Sequence, residues 1–581
     1  MSAQARSGSA TNTPVTSGRI TSGRVAPSDR PDDPVVLRGG TLVDGTGEAA
    51  RPADVEIVGD RIGRVGDVPA GTGTDVDVSG LVIAPGFIDV HTHYDAQILW
   101  DRDLTPSCWH GVTTVIMGNC GFGVAPARPS DRADLVSILE NVEGMSAAAL
   151  TAGIEWTFED FPDYLDTVEA GGVRLNVGVM VGHTPLRLYV MGEDADTRAA
   201  TADEIAAMRT VLARALAAGA IGFASSRGAA HLGRRGRPVP SRFAEVAELS
   251  ALADTVGEAG HGVLQIITGP DLSPEFYAET SVRTGRPVTW LGLVTGLGPS
   301  RRVIDVLDAV RDLPGDVWPQ VACQPIVMQI TPAEPFAFGL IGAFADVIGA
   351  QPAARAAVYA DPAWRVRARA DADAHGRITA RWAKTFVAES DAAPELIDRS
   401  LADIAGERGT HPVDVLADVS LADGLRTRFR VVLGNDDEDE LSQVLGRRDT
   451  LLGLSDAGAH ASQLCDAGFG GRLLSYWVRD RKALSLETAV WRLTGHPAAV
   501  FQLSGRGVVA PGNIADLVAF DPGTVGVGPL QRVHDLPAGS DRLITHSLGI
   551  HHVWVSGTAI RRDGADLDGV RPGRLLRGGR D

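Results

Sequence analysis

The chain has 581 residues, 44% of them hydrophobic, with 68 glycines and a formal charge of −19. That length exceeds one ordinary domain and the apolar content excludes wholesale disorder, so two structural units around a large core are expected. An acidic surface repels a phosphate backbone, which excludes nucleic acid as partner and leaves a small-molecule substrate, with homo-oligomerisation open.

Residues 1–34 are mostly Ser, Thr, Gly, Ala, Arg and Pro with no hydrophobic stretch, which predicts a disordered tail and not a signal peptide. No apolar run reaches the ~18 residues of a membrane span, so no membrane partner is expected. Cys108, Cys120, Cys323 and Cys465 show no spacing framework of a secreted domain, and a cytoplasmic location is the expectation.

From residue 35 the pattern turns short and alternating, at 35–38, 53–58 and 61–65, between Gly and Asp turns. This predicts a small antiparallel β unit over 35–84. Similar runs return at 515–520 and 551–555, so 505–575 is expected to complete one β-sandwich with the first part.

Between them, residues 85–504 alternate strands and helices, the pattern of parallel βαβ units. Candidate strands are 87–91, 113–118, 175–181, 220–225, 262–267, 288–294, 317–323 and 450–455, which predicts an α/β fold of the (β/α)8 TIM-like barrel type. Helices are expected at 202–218 and 243–259, where apolar residues recur at three- and four-residue spacing. Residues 429–434 offer a competing barrel strand. Residues 325–428 fit no barrel repeat and carry Phe336, Phe338, Tyr359, Trp364 and Trp382. An insertion after a barrel strand sits over the C-terminal mouth, so this segment reads as a lid.

The same geometry places strand-end residues around the mouth. The first strand ends in His91-Thr92-His93, and residues two apart on a strand face one side, which aims two imidazoles at one point. The second leads into Gly118-Asn119-Cys120-Gly121, the third into His183, the fourth into Arg227 and His231, and the eighth into Ser455-Asp456 and then His460. Imidazole, thiolate and carboxylate together suit zinc better than magnesium or calcium. Asp456 is the candidate for both a metal ligand and the base that takes a proton from water; its plain alternative is to cap the next helix. His183, Arg227 and His231 are candidates for contacts to a carbonyl or carboxylate of the substrate, with structural roles as the alternative.

On these residues the chain resembles the amidohydrolase superfamily, and within it the D-aminoacylase or N-acyl-D-amino-acid deacylase group. The marks are Pro85-Gly86-Phe87-Ile88-Asp89 through His93-Tyr94-Asp95, the Cys120 loop, Val181-Gly182-His183, Ser455-Asp456 and Gly512-Asn513-Ile514-Ala515-Asp516. The resemblance implies a metal-dependent barrel on a small β-sandwich that hydrolyses the amide of an N-acylated D-amino acid. By position it implies His91, His93, Cys120 and Asp456 as metal ligands and Asp456 as catalytic base.

The chain also departs from that group, which has histidines on strands 5 and 6. Here those strands read Val263-Leu264-Gln265-Ile266-Ile267 and Val288-Thr289-Trp290-Leu291, so Gln265 and Thr289 or Trp290 stand at those positions. A lysine-bridged pair of metals is excluded too, since the two lysines, Lys384 and Lys482, lie on no barrel strand. One zinc ion per chain is therefore expected. The arginine loop that the group carries after the strand-8 aspartate is missing, which turns the expectation for substrate contacts to His183, Arg227, His231, Gln265 and His460. The loss of ligands keeps two further readings open: a lyase or rearrangement on the same fold, or a barrel that binds a ligand without catalysis.

Overall fold

The computed structural model describes residues 33–229, 231–233, 237–296, 302–333, 335, 338, 341–375 and 381–580. The expected tail, up to residue 32, and Phe336 lie outside the described residues. The central strands are β1 (Phe87–Asp89), β2 (Val112–Met117), β3 (Asn176–Val179), β4 (Gly222–Ser226), β5 (Val263–Ile267), β6 (Val288–Leu291), β7 (Val317–Val321) and β8 (Leu451–Leu452).

β1, β2 and β3 pair in parallel order, as do β4 through β8. The stretch read as one strand over 175–181 is broken: Met180 donates its N–H to Met117 O at 2.9 Å, and the next two residues, Val181–Gly182, pair with β4. At the opposite edge Thr92, just past β1, bridges Ala457, just past β8. The result is a TIM-barrel-like α/β fold. Alternation along β5 explains its two-sided burial: Leu264 and Ile266 join the cluster containing helix residues Leu212, Leu216, Leu249 and Leu252, whereas Val263 packs with Ile88, Ile116, Ile221 and Leu451.

Helix Ala202–Ala218 starts at a capping box in which Thr201 and Glu204 satisfy each other's backbone N–H groups. The helix expected at 243–259 begins at Val246, because Pro240–Phe243 forms a separate 3-10 turn. Among the described residues no helix is long and apolar enough to cross a membrane.

The chain ends meet in one sheet, where Val82–Pro85 pairs antiparallel with Leu517–Phe520, itself paired with Ile550–Val555. A four-stranded sheet from 35–77 shares its core, through Leu37, Val55 and Ile57 against Ile83, Leu517 and Trp554. Val82–Pro85 runs directly into β1, so this unit anchors the strand that the two histidines follow. The strand Leu575–Leu576 extends the barrel sheet in parallel beside β3.

Arg428–Gly434 is the middle strand of a three-stranded antiparallel sheet with Ile326–Ile330 and Thr385–Glu389. Residues 429–434 therefore belong to the insertion and not to the barrel. The insertion has its own core, with Tyr359 and Trp364 rings 5.1 Å apart and Phe338 buried beside them. Gln329 on its first strand donates N–H to Gln463 O at 2.7 Å, which ties the insertion to the loop after β8.

Candidate metal centre

His91 and His93 follow β1 while Thr92 is held outward, its N–H and Oγ1 both donating to Ile116 O at 3.0 and 2.8 Å. Fixing the middle residue turns both imidazoles to the same side, with ring centroids 5.3 Å apart. After β2 the chain makes a tight left-handed loop in which Gly118 has φ 85° and Cys120 φ 57°. A Cβ at Gly118 would lie 2.1 Å from Met180 O, and one at Gly121 2.8 Å from Ser225 Cα, so only glycines let this loop dip into the mouth. Cys120 is held there by its N–H, which donates to Gln265 Oε1 at 2.8 Å.

These elements bring the side chains predicted from strand ends into one cluster. The ligand atoms of His91, His93 and Cys120 all lie within 4.8 Å of one another. Cys120 Sγ is 3.2 Å from His91 Nε2, and Asp456 Oδ1 is 3.3 Å from His91 Nε2 and 3.8 Å from His93 Nε2. Bonds of about 2.0 Å to nitrogen or oxygen and about 2.3 Å to sulfur require tetrahedral edges of roughly 3.3–3.6 Å, so the donors fit one zinc ion. The histidines and Cys120 are buried, but the Asp456 side chain is 34% exposed, which makes it the side of the cluster that solvent reaches.

Burial pushes the Cys120 thiol well above its usual range, and the carboxylates of Glu143, Asp456 and Asp95 push it further. Burial lowers His91, offset in part by Asp456 and Gln320, and takes His93 well below its ordinary value. A divalent cation favours the thiolate and the neutral imidazoles at once, which is the charge this donor set calls for.

Strand spacing did not reveal Glu143. It ends helix α1 (Arg132–Glu143), is buried, and places Oε2 3.6 Å from His93 Nδ1. Burial, then Asp456 and Asp95, raises its carboxyl well above the carboxylate range. A Glu-Gly pair closing a helix ordinarily faces water, so nothing in the local pattern marks it.

The residues expected on the substrate side divide. Gln265 is buried on β5 beside Cys120, and Gln320 and Thr289 complete the same layer: Gln320 Oε1 is 2.7 Å from His91 Nδ1, and its Nε2 donates to Thr289 Oγ1 at 3.1 Å. Thr289 is thus the inward residue of β6, while Trp290 stacks on Tyr277 at 5.4 Å. His231 sits by its Nδ1 2.8 Å from Ser226 Oγ and against the Phe122 ring; desolvation, then His460, Arg242 and His91, lowers its pKa to about 4. His460 follows Asp456 and donates its backbone N–H to Glu143 O. His183 and Arg227 are engaged elsewhere. His183 has Nδ1 2.8 Å from Ser225 Oγ and Nε2 2.8 Å from Glu248 Oε1, deep in the protein. Arg227 pairs with Asp271 and donates to the carbonyls of Ser241, Arg242 and Ala244.

D-aminoacylase of Alcaligenes xylosoxydans xylosoxydans is 33% identical over 94% of this chain and 98% of that protein. N-acyl-D-glutamate deacylase of the same organism is 30% identical over 94% and 96%. Among solved structures, D-aminoacylase superposes with a TM-score of 0.65 at 29% identity, covering 94% of this chain and all of that one. N-acyl-D-glutamate deacylase from Bordetella bronchiseptica, complexed with zinc and a phosphonate inhibitor that mimics the tetrahedral intermediate, gives 0.63 at 28% over the same shares. The amidohydrolase family pattern matches residues 75–560, and the chain belongs to the amidohydrolase family.

Proposed function

We propose that the protein is a metal-dependent hydrolase of the amide bond in small N-acyl amino acids of the D series, working with one zinc ion per chain. The observation that carries this reading is the convergence of His91, His93 and Cys120, whose ligand atoms lie within 4.8 Å of one another, with Asp456 Oδ1 3.3 and 3.8 Å from the two imidazoles at the mouth of the barrel. The accompanying architecture is a closed eight-stranded barrel over 85–504, a β-sandwich from 35–84 and 505–575, and an insertion extending from about 325 through Gly434 that acts as a lid. D-series specificity is supported by the relatives' names. A cytoplasmic location is proposed on the cysteine spacing.

His91, His93 and Cys120 would hold the ion, with Asp456 completing the set. Zinc bound there supplies Lewis acidity, which polarises a carbonyl and acidifies a water molecule. Asp456 is placed to accept the proton of the attacking water at its carboxylate and return it to the departing nitrogen, because it is the member of the cluster open to solvent. The buried histidines and cysteine exclude bulk water on the other sides. Gln265, His231 and His460 line the substrate side, and His183 and Arg227 brace the loops behind it.

Zinc content, and hydrolysis of paired N-acetyl-D and N-acetyl-L amino acids, test the reading. About one zinc per chain is expected, together with activity that a chelator removes and zinc restores, and oxygen from labelled water in the released acid. Asp456→Asn should lower kcat by about 10²–10⁴. Chelator-insensitive turnover, or product that takes up no labelled oxygen, would sink it.

A further inference from the structure

Gln265 carries a polar group that the fold leaves without a partner. Its side chain is buried on β5 and points inward, since its neighbours Leu264 and Ile266 pack among the helices. The Cys120 N–H fixes which end of the carboxamide is which, because Oε1 accepts it at 2.8 Å. Nε2 then has no acceptor among the described residues. The neighbours in the layer are already engaged, as Gln320 joins His91 to Thr289. A buried donor with nothing to bind costs about 1–3 kcal/mol and is rarely retained without a role.

We propose that the Gln265 carboxamide is an oxyanion donor, its Nε2–H directed at the carbonyl oxygen of the scissile amide. The proposal rests on the hydrolase reading above and names a catalytic residue for it. When water adds to the carbonyl carbon, one O–H proton passes to Asp456, the new C–O bond forms, and the carbonyl π pair moves onto oxygen. A neutral N–H placed beforehand beside the metal donors stabilises that charge more than it stabilises the ground-state carbonyl, so its effect falls on kcat. The donor is preorganised: Cys120, which helps build the metal cluster, also locks the carboxamide that faces the substrate.

Two substitutions separate the donor from its lock. Gln265→Glu keeps an oxygen for the Cys120 N–H but removes the Nε2 donor; Gln265→Leu removes both. The readouts are zinc per chain, affinity for zinc in chelator competition, kcat and KM on an N-acetyl amino acid, and calorimetric affinity for the analogue whose scissile carbonyl is a methylphosphonyl group. Gln265→Glu should bind zinc like wild type and Gln265→Leu more weakly, because the Cys120 N–H then loses its acceptor; at saturating zinc both should keep KM within about threefold and lose about 10²–10³-fold in kcat with a similar loss of phosphonate affinity. If Gln265→Glu matches wild type in kcat and phosphonate affinity, the donor role is overturned, whether or not Gln265→Leu fails. Loss of zinc in step with activity in both variants overturns it too, by making Gln265 a support of the metal site. A wild-type protein that holds zinc but neither turns over nor binds the phosphonate overturns the hydrolase reading, and this one with it.

Discussion

Nδ1 of His91 lies 2.7 Å from Oε1 of Gln320, and that contact decides which nitrogen faces the other donors. Gln320 Nε2 is committed to Thr289 Oγ1, so its oxygen faces His91 and Nδ1 carries the proton. Nε2 is left with its lone pair toward Cys120 Sγ and Asp456 Oδ1. Strand β7 therefore contributes to the metal centre without supplying a ligand.

Gln320→Leu should weaken zinc binding by about 10–100-fold, as loss of such outer hydrogen bonds does elsewhere. Gln320→Glu, which retains an acceptor for Nδ1–H, should stay closer to wild type. Chelator competition measures both. Equal affinity in Gln320→Leu and wild type would mean the imidazole is oriented by packing alone.

Glu143 gives a second prediction. Its buried Oε2 approaches His93 Nδ1 at 3.6 Å, so the carboxyl group packs against the ring edge opposite the nitrogen that faces Asp456. Glu143→Gln should lower zinc affinity about tenfold. Because the effect is transmitted through His93, the double variant with His93→Ala should be no weaker than His93→Ala alone. Additive losses in that cycle would show that Glu143 acts independently of His93.

The strands of the barrel were legible because each is a continuous apolar run bounded by turn residues, and the cluster was legible because its members close those runs or follow them directly. His91, His93, Cys120 and Asp456 needed nothing more than strand-end bookkeeping. Glu143 was not legible, since it reaches the site from the end of a helix fifty residues along the chain from His93. Thr289 could not be told from Trp290 until pairing set the inward face of β6. Residues 429–434 have the alternation of any half-buried strand, and only antiparallel pairing with 326–330 and 385–389 assigns them to the insertion. At Leu575–Leu576 the strand is too short for a periodic signal.

Acid should destabilise the fold through histidines remote from the metal centre. Burial lowers His110 to about 4 and His496 to about 3. His110 donates Nε2–H to Thr545 O, while its Nδ1 has no partner among the described residues; His496 is stacked on Trp491 at 4.4 Å with neither ring nitrogen bonded. Protonation would leave a buried charge unpaired. Both folded values lie below the ~6.5 of an unfolded histidine, so the unfolded chain binds these protons first. Stability is complete above pH ~6.5 and falls as pH drops toward 4, by about 3 kcal/mol for His110. His110→Gln, which keeps a donor for Thr545, should show a smaller drop in Tm between pH 7.5 and 5, at about those values. An identical drop in variant and wild type would assign the acid sensitivity elsewhere.

The last prediction concerns the buried chain Arg187–Glu248–His183–Ser225 behind the Cys120 loop. Arg187, Glu248 and His183 are almost wholly inaccessible, and Arg187 and His183 grip opposite oxygens of Glu248. His183 in turn meets Ser225 Oγ, and Ser225 Cα lies directly against Gly121 in the loop that positions Cys120. Removing one charge strands the other in a low-dielectric interior, so Arg187→Leu should cost about 3–5 kcal/mol. Arg187→Leu with Glu248→Leu removes both charges and should recover much of that loss. Denaturation midpoints of the two variants test the ion pair. Zinc affinity of the double variant tests its reach: a loss of affinity despite recovered stability is expected, because His183 then has no carboxylate to hold it against Ser225.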